Sequence, residues 1–218
     1  MYSSKPLPSL KGEETALLVI DMQNDFVKPD GYVGRSGKDV RPVLEIIPKI
    51  SRALDFSRKI GMPRIFVKTI HADYTNSDVW GSRYGGREAP PLCVPGTWGS
   101  EIIDELRPLE GEPIVIKHRY SAMLDTDLPL ILRSKKIRNL AVTGNMTNAC
   151  IDSTVRHAFM MDYLTITLSD CVATPDTDLH EPTLKNLARY FGYVCTLDEF
   201  INSVIYLTRT EQANHRRT

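Results

Sequence analysis

Three side chains far apart in the chain could together do covalent chemistry: Asp21, Lys117 and Cys150. Cysteine attacks a carbonyl as its thiolate, so it needs a group that takes its proton and a neighbour that tolerates the charge. A carboxylate supplies the first and an ammonium the second. Each residue alone has an ordinary reading. Free cysteine packs as a small hydrophobe, an aspartate caps a turn, and a lysine ends a strand in solvent. Only their joint pattern points to an activated nucleophile.

The elements that must position them are legible as apolar runs. Ala16 to Ile20 read as a strand with Asp21 at its end. Pro113 to Ile116 read as another, ending in Lys117. Leu140 to Val142 form a third, broken by Gly144. After it Ile151, Val155, Phe159 and Met160 recur at helical spacing, with Thr147 or Asn148 as the expected N-cap. Cys150 then falls in the first helical turn, where unpaired N–H groups and the helix dipole favour a thiolate. Further strands are expected at Pro63 to Ile70, Leu164 to Leu168 and Tyr193 to Thr196. Helices are expected from Val43 to Gly61, over Glu101 to Leu106, around Leu128 to Leu132 and over Leu179 to Phe191. Ile201 to Leu207 close the fold, and Thr208 to Thr218 read as a polar tail.

Strands alternating with helices imply parallel strands joined by helical crossovers, a doubly wound α/β fold with helices on both faces. Ligands in such sheets bind beyond the carboxyl ends of the strands, where Asp21, Lys117 and Cys150 can converge. Residues 72 to 99 form the longest irregular stretch and carry Tyr74, Trp80, Arg83, Tyr84, Arg87 and Trp98. A loop this long is expected to be a lid or a subunit contact.

The chain of 218 residues, 42% hydrophobic and without a Pro/Gly/Ser-rich linker, is expected to form a single domain over 1–218, with its core at about 15–207. Lys plus Arg and Asp plus Glu number 27 each, so neither nucleic acid nor an anionic membrane is an expected partner. The polar, proline-bearing start of the chain and the absence of a long apolar stretch point to a cytoplasmic protein. Cys93, Cys150, Cys171 and Cys195 are widely spaced, which argues for reduced thiols and against a zinc knuckle. The expected partners are a small molecule and further copies of the chain, as a dimer or tetramer.

Leu18 to Phe26 (LVIDMQNDF), the strand-terminal Lys117, and Val142-Thr143-Gly144 through Thr147-Asn148-Ala149-Cys150-Ile151 resemble the three signatures of the isochorismatase-like cysteine hydrolases, in order over about residues 15 to 205. The resemblance implies a six-stranded parallel sheet and an Asp21-Lys117-Cys150 triad. It also implies a cis peptide at Asn145–Met146, with the N–H groups of Met146 and Cys150 as the oxyanion hole. Members of this family often carry a small or apolar residue where this chain has Asn145 and Met146. Asp21 would take the Cys150 proton, the thiolate would attack an amide or ureido carbonyl, ammonia would leave, and water would hydrolyse the thioester.

The cysteine argues against vinyl-ether hydrolysis, since the isochorismate-cleaving members lack it. Lys117 to Ala122 (KHRYSA) and Cys150 to Arg156 (CIDSTVR) are similar to ureidoacrylate amidohydrolases, with N-carbamoyl and biuret-type hydrolases as relatives. Arg119 is the candidate clamp for a substrate carboxylate. Asn24, Trp80 and Tyr120 are further candidates for substrate binding. Nicotinamidases carry an Asp-x-His metal motif, whereas His71-Ala72-Asp73 has the order reversed and one histidine, so neither metal nor other cofactor is expected. The alternatives are a nicotinamidase-type amidase, or a non-catalytic member that binds a metabolite or senses oxidants through Cys150.

Overall fold

The computed structural model describes residues 6–85 and 90–205. Arg87, the last two residues of the closing segment and the polar tail lie outside the described residues.

In chain order the elements are β1 (Leu10–Lys11), β2 (Thr15–Ile20), α1 (Asn24–Val27), α2 (Tyr32–Arg35), α3 (Arg41–Glu45), α4 (Ile47–Ile60), β3 (Arg64–Thr69), α5 (Asp78–Ser82) and β4 (Ile114–Lys117). Then follow α6 (Leu128–Ser134), β5 (Asn139–Asn145), a π-helical turn (Thr147–Ile151), α7 (Asp152–Met160), β6 (Leu164–Ala173), α8 (Thr177–Tyr190), β7 (Tyr193–Cys195), α9 (Leu197–Ser203) and β8 (Val204–Ile205).

Six strands form a parallel sheet in the order β4-β3-β2-β5-β6-β7. β2 is buried along its whole length and its side chains alternate between two cores. Leu17 and Val19 pack with α4 residues such as Ile50 and Leu54 on one face. Ala16, Leu18 and Ile20 pack with Leu132, Val155 and Leu184 of α6, α7 and α8 on the other. Both faces are therefore covered, as a parallel sheet requires. Among the described residues no helix is long and apolar enough to cross a membrane.

From β2 the chain builds outward through β3 to β4, then returns to lay β5 on the other side of β2. This reversal between β2 and β5 is where a doubly wound sheet opens a crevice for a ligand. Gly144 makes the approach possible: its φ is 116°, and a Cβ there would lie 2.0 Å from the Ile20 carbonyl oxygen.

The structure departs from the sequence reading in several places. The helix expected from Val43 to Gly61 is two, α3 and α4, separated at Ile46; Gly61 does end α4, in a left-handed conformation. Glu101 to Leu106 carry one 3₁₀ turn, Asp104–Leu106, rather than a helix. β6 runs past Leu168 to Ala173, because the polar Ser169 and Asp170 find partners: Asp170 accepts from the Leu197 N–H at 2.8 Å and pairs with Lys49 at 3.1 Å. The long loop contains the short helix α5, which carries Trp80 and is capped by the Ser77 hydroxyl accepting from the Trp80 N–H.

Candidate active site

Asp21 is the first residue past β2. Its φ of 55° turns the chain sharply out of the sheet, and its N–H stays tied to the Val67 carbonyl at 2.9 Å. Two strands away Lys117 ends β4 facing inward, fully buried. Its Nζ lies 2.8 Å from Asp21 Oδ2 and donates to Cys150 Sγ at 3.2 Å. The three predicted side chains therefore meet at one point.

Thr69, the last residue of β3, lies between them. Its hydroxyl accepts from Lys117 Nζ at 2.5 Å and donates to Asp21 Oδ1 at 2.9 Å. Gln23 holds Thr69 in turn: the Gln23 side chain accepts from the Thr69 N–H at 2.7 Å and donates to the Thr69 carbonyl at 2.8 Å and the Ser100 carbonyl at 2.9 Å. A buried ion pair needs such hydrogen bonds to offset the loss of water. Sequence reasoning missed both residues. The available signal was Thr69 at a strand end beside Asp21.

Cys150 sits on the π-helical turn, with α7 following. The expected N-cap is corrected. The residue before the turn is Met146, with no side-chain cap, and Thr147 and Asn148 lie within the turn. Their side chains instead reach outward: Thr147 Oγ1 is 3.0 Å from His180 Nδ1, and Asn148 Oδ1 accepts from the Thr174 hydroxyl at 2.7 Å. The Asn145–Met146 peptide is cis.

The electrostatics also differ from the thiolate expected of a helix start. Burial, and after it the negative charge of Asp21, holds the Cys150 thiol above its ordinary pKa, with Lys117 opposing. Burial by itself would lower the Lys117 pKa; the charges of Asp21 and Cys150 outweigh it and hold the ammonium protonated. These surroundings favour the protonated thiol of Cys150 over its thiolate. Asp21 Oδ2 is sealed from solvent, with the Lys117 ammonium 2.8 Å away.

These groups floor a cavity of about 330 Å³. Met146, Ala149 and Asn145 border it on the nucleophile side, and Trp80, Tyr120, Arg119, Arg83 and His71 on the other. Trp80 and Tyr120 meet edge to face at 4.8 Å, and the Arg83 and Arg119 guanidinium carbons lie 3.6 and 4.8 Å from the Trp80 ring centroid. Among the described residues neither arginine has an acidic partner; Arg119 donates to the carbonyls of His118 and Thr75. His71 is pushed down to about 4 by burial and then by Arg83, Lys117, His118 and Arg119, so it is a neutral imidazole at pH 7. The sequence reading did not single out Arg83 or His71 as part of the site.

One candidate falls away. Asn24 is not among the residues bordering this cavity; its side chain donates to the Trp98 carbonyl at 2.8 Å and fastens α1 to the 98–100 turn. Asp25 next to it is likewise a brace, accepting from the N–H groups of Tyr32 at 3.0 Å and Cys93 at 2.7 Å. Among the described residues no three His, Cys, Asp or Glu side chains gather closely enough to hold a metal ion.

A doubly wound parallel sheet with a buried thiol, lysine and aspartate at its switch point defines a hydrolase of the cysteine-nucleophile class. Residues 15–199 match the isochorismatase domain, and the chain belongs to that family. It is 34% identical over 215 residues to the ureidoacrylate amidohydrolase RutB of Stutzerimonas stutzeri (strain A1501), an alignment covering 92% of this chain and 87% of the relative. Its fold is similar to a cysteine hydrolase from Pseudomonas syringae pv. phaseolicola 1448A, with a TM-score of 0.80, 27% identity, and coverage of 92% and 97% of the two chains. It is also similar to the N-carbamoylsarcosine amidase from Thermoplasma acidophilum, with a TM-score of 0.69, 27% identity, and coverage of 84% and 96%.

Proposed function

We propose that this hydrolase is an amidohydrolase that cleaves the C–N bond of a small, anionic ureido or carbamoyl substrate and releases ammonia. The observation that carries the reading is the contact of Lys117 with both Asp21 and Cys150 on the floor of the cavity. The relatives named for ureidoacrylate and N-carbamoylsarcosine support the C–N bond as the target.

In this reading Asp21 takes the thiol proton as Cys150 Sγ adds to the carbonyl carbon. Lys117 keeps its proton, so the negative charge passing from carboxylate to sulfur and oxygen stays compensated. The N–H groups of Met146 and Cys150 receive the developing oxyanion. Asp21 returns the proton to the departing nitrogen, the C–N bond breaks, and ammonia leaves an acyl group on sulfur. With a ureide this is a thiocarbamate. Water, deprotonated by Asp21, then cleaves it. Arg119 is the clamp for the substrate carboxylate, with Trp80 and Tyr120 as the apolar wall; a guanidinium with no carboxylate partner among the described residues suits an anionic ligand.

The test is ammonia release by the purified protein across N-carbamoyl amino acids, ureidoacrylate, biuret and nicotinamide. Turnover concentrated on the carboxylate-bearing ureides is the expected outcome. Turnover of nicotinamide alone, or none anywhere in the panel, contradicts the reading.

A further inference from the structure

Asn145 is the last residue of β5, 1% exposed, and it borders the cavity together with Asp21 and Cys150. Its Nδ2 donates to the Asp21 carbonyl at 2.6 Å and contacts Met22 Sδ at 3.6 Å. That first bond settles which way the amide faces, because turning it over would set oxygen against oxygen. The Oδ1 atom is then held in place, buried, with no hydrogen-bond partner among the described residues.

Leaving a buried amide oxygen without a donor is costly, so such an atom calls for a partner. The floor of the cavity holds two acceptors of this kind, Asp21 Oδ2 and Asn145 Oδ1. The first has the Lys117 ammonium 2.8 Å away. For the second no donor is found among the described residues.

We propose that Asn145 Oδ1 is the acceptor for an N–H of the substrate's terminal –NH₂, so that the site selects an unsubstituted carbamoyl or carboxamide nitrogen over an oxygen or alkylated leaving group. The proposal rests on the amidohydrolase reading and deepens it. The thiol proton passes to Asp21 and then to the leaving nitrogen. Asn145, by holding one N–H of that nitrogen, turns its lone pair toward Asp21 as the tetrahedral intermediate forms. No further proton is needed: two hydrogens belong to the substrate, the third came from sulfur, and ammonia departs. An alkoxy group in the same place has no hydrogen for Oδ1 and leaves it buried and unpaired.

The experiment uses the full chain with Cys150→Ala, in which turnover is blocked, and two probes that differ only at this position: N-carbamoyl-β-alanine and N-methoxycarbonyl-β-alanine. Calorimetry should find the carbamoyl probe bound about tenfold more tightly, the worth of one buried hydrogen bond plus the cost of leaving its acceptor unmet. Adding Asn145→Leu should bring the ratio to within about twofold of one, mainly by weakening the carbamoyl probe. Equal affinities with Asn145 in place, or no measurable binding of the carbamoyl probe, overturn the proposal without recourse to the leucine variant and whatever that variant's folding. A ratio that survives Asn145→Leu overturns it as well. A clear preference that depends on Asn145, in a parent enzyme that releases no ammonia, contradicts the hydrolase reading and leaves the acceptor standing.

Discussion

Thr69 Oγ1 donates to Asp21 Oδ1 at 2.9 Å, while the other carboxylate oxygen, Oδ2, lies 2.8 Å from Lys117 Nζ. In the proposed mechanism this arrangement makes Asp21 a directed base, with Oδ1 held by Thr69 and Oδ2 taking the thiol proton.

Thr69→Val keeps the shape of the side chain and removes its hydroxyl. The Asp21 carboxylate then loses a fixed orientation and Lys117 loses an acceptor. We expect kcat to fall about 10- to 100-fold, one to two hydrogen bonds' worth, with KM changed less than threefold. Stopped assays of ammonia release with the parent and variant proteins measure the split; a loss confined to KM would place Thr69 in binding instead.

Lys117→Met removes the cation that opposes the Asp21 charge at the thiol. The Cys150 pKa, already raised, should rise further, and alkylation by iodoacetamide at pH 7 to 9 should slow relative to the parent. The sign follows from the like charges left behind: a carboxylate facing a forming thiolate disfavours ionisation. Rates of alkylation that match the parent across this pH range would remove Lys117 from the activation of sulfur.

Arg119→Ala should raise KM for ureido acids about tenfold or more and leave uncharged amides within about threefold, since a guanidinium–carboxylate pair acts on binding rather than on bond cleavage. Equal losses on both substrate types would assign Arg119 to the architecture of the Trp80 wall, where its guanidinium also stacks.

Much of this site was legible before folding. Asp21, Lys117 and Cys150 each follow or end an apolar run, and in a parallel sheet all such ends lie on one edge. What stayed hidden depends on contacts between residues distant in sequence. Thr69 and Asp21 are 48 positions apart, Gln23 and Thr69 46, and nothing local marks either bond. The role of Asn24 was misjudged for the same reason: its partner, the Trp98 carbonyl, is 74 positions away. The thiolate expected at Cys150 followed from helix geometry alone, and the burial and neighbouring carboxylate that override it appear only once the sheet brings β2 and β5 together. β6 was cut short because Asp170 interrupts its apolar run, although Lys49 and the Leu197 N–H pay for the charge there.

Covalent catalysis by Cys150 is most directly tested by rapid acid quench of the enzyme mixed with N-carbamoyl-β-alanine, followed by digestion and mass spectrometry. We expect the peptide bearing Cys150 to gain the mass of the substrate less ammonia within the first turnover, and no other cysteine peptide to change. Ammonia produced with Cys150 unmodified, or an adduct on Cys93, Cys171 or Cys195 instead, would contradict the account.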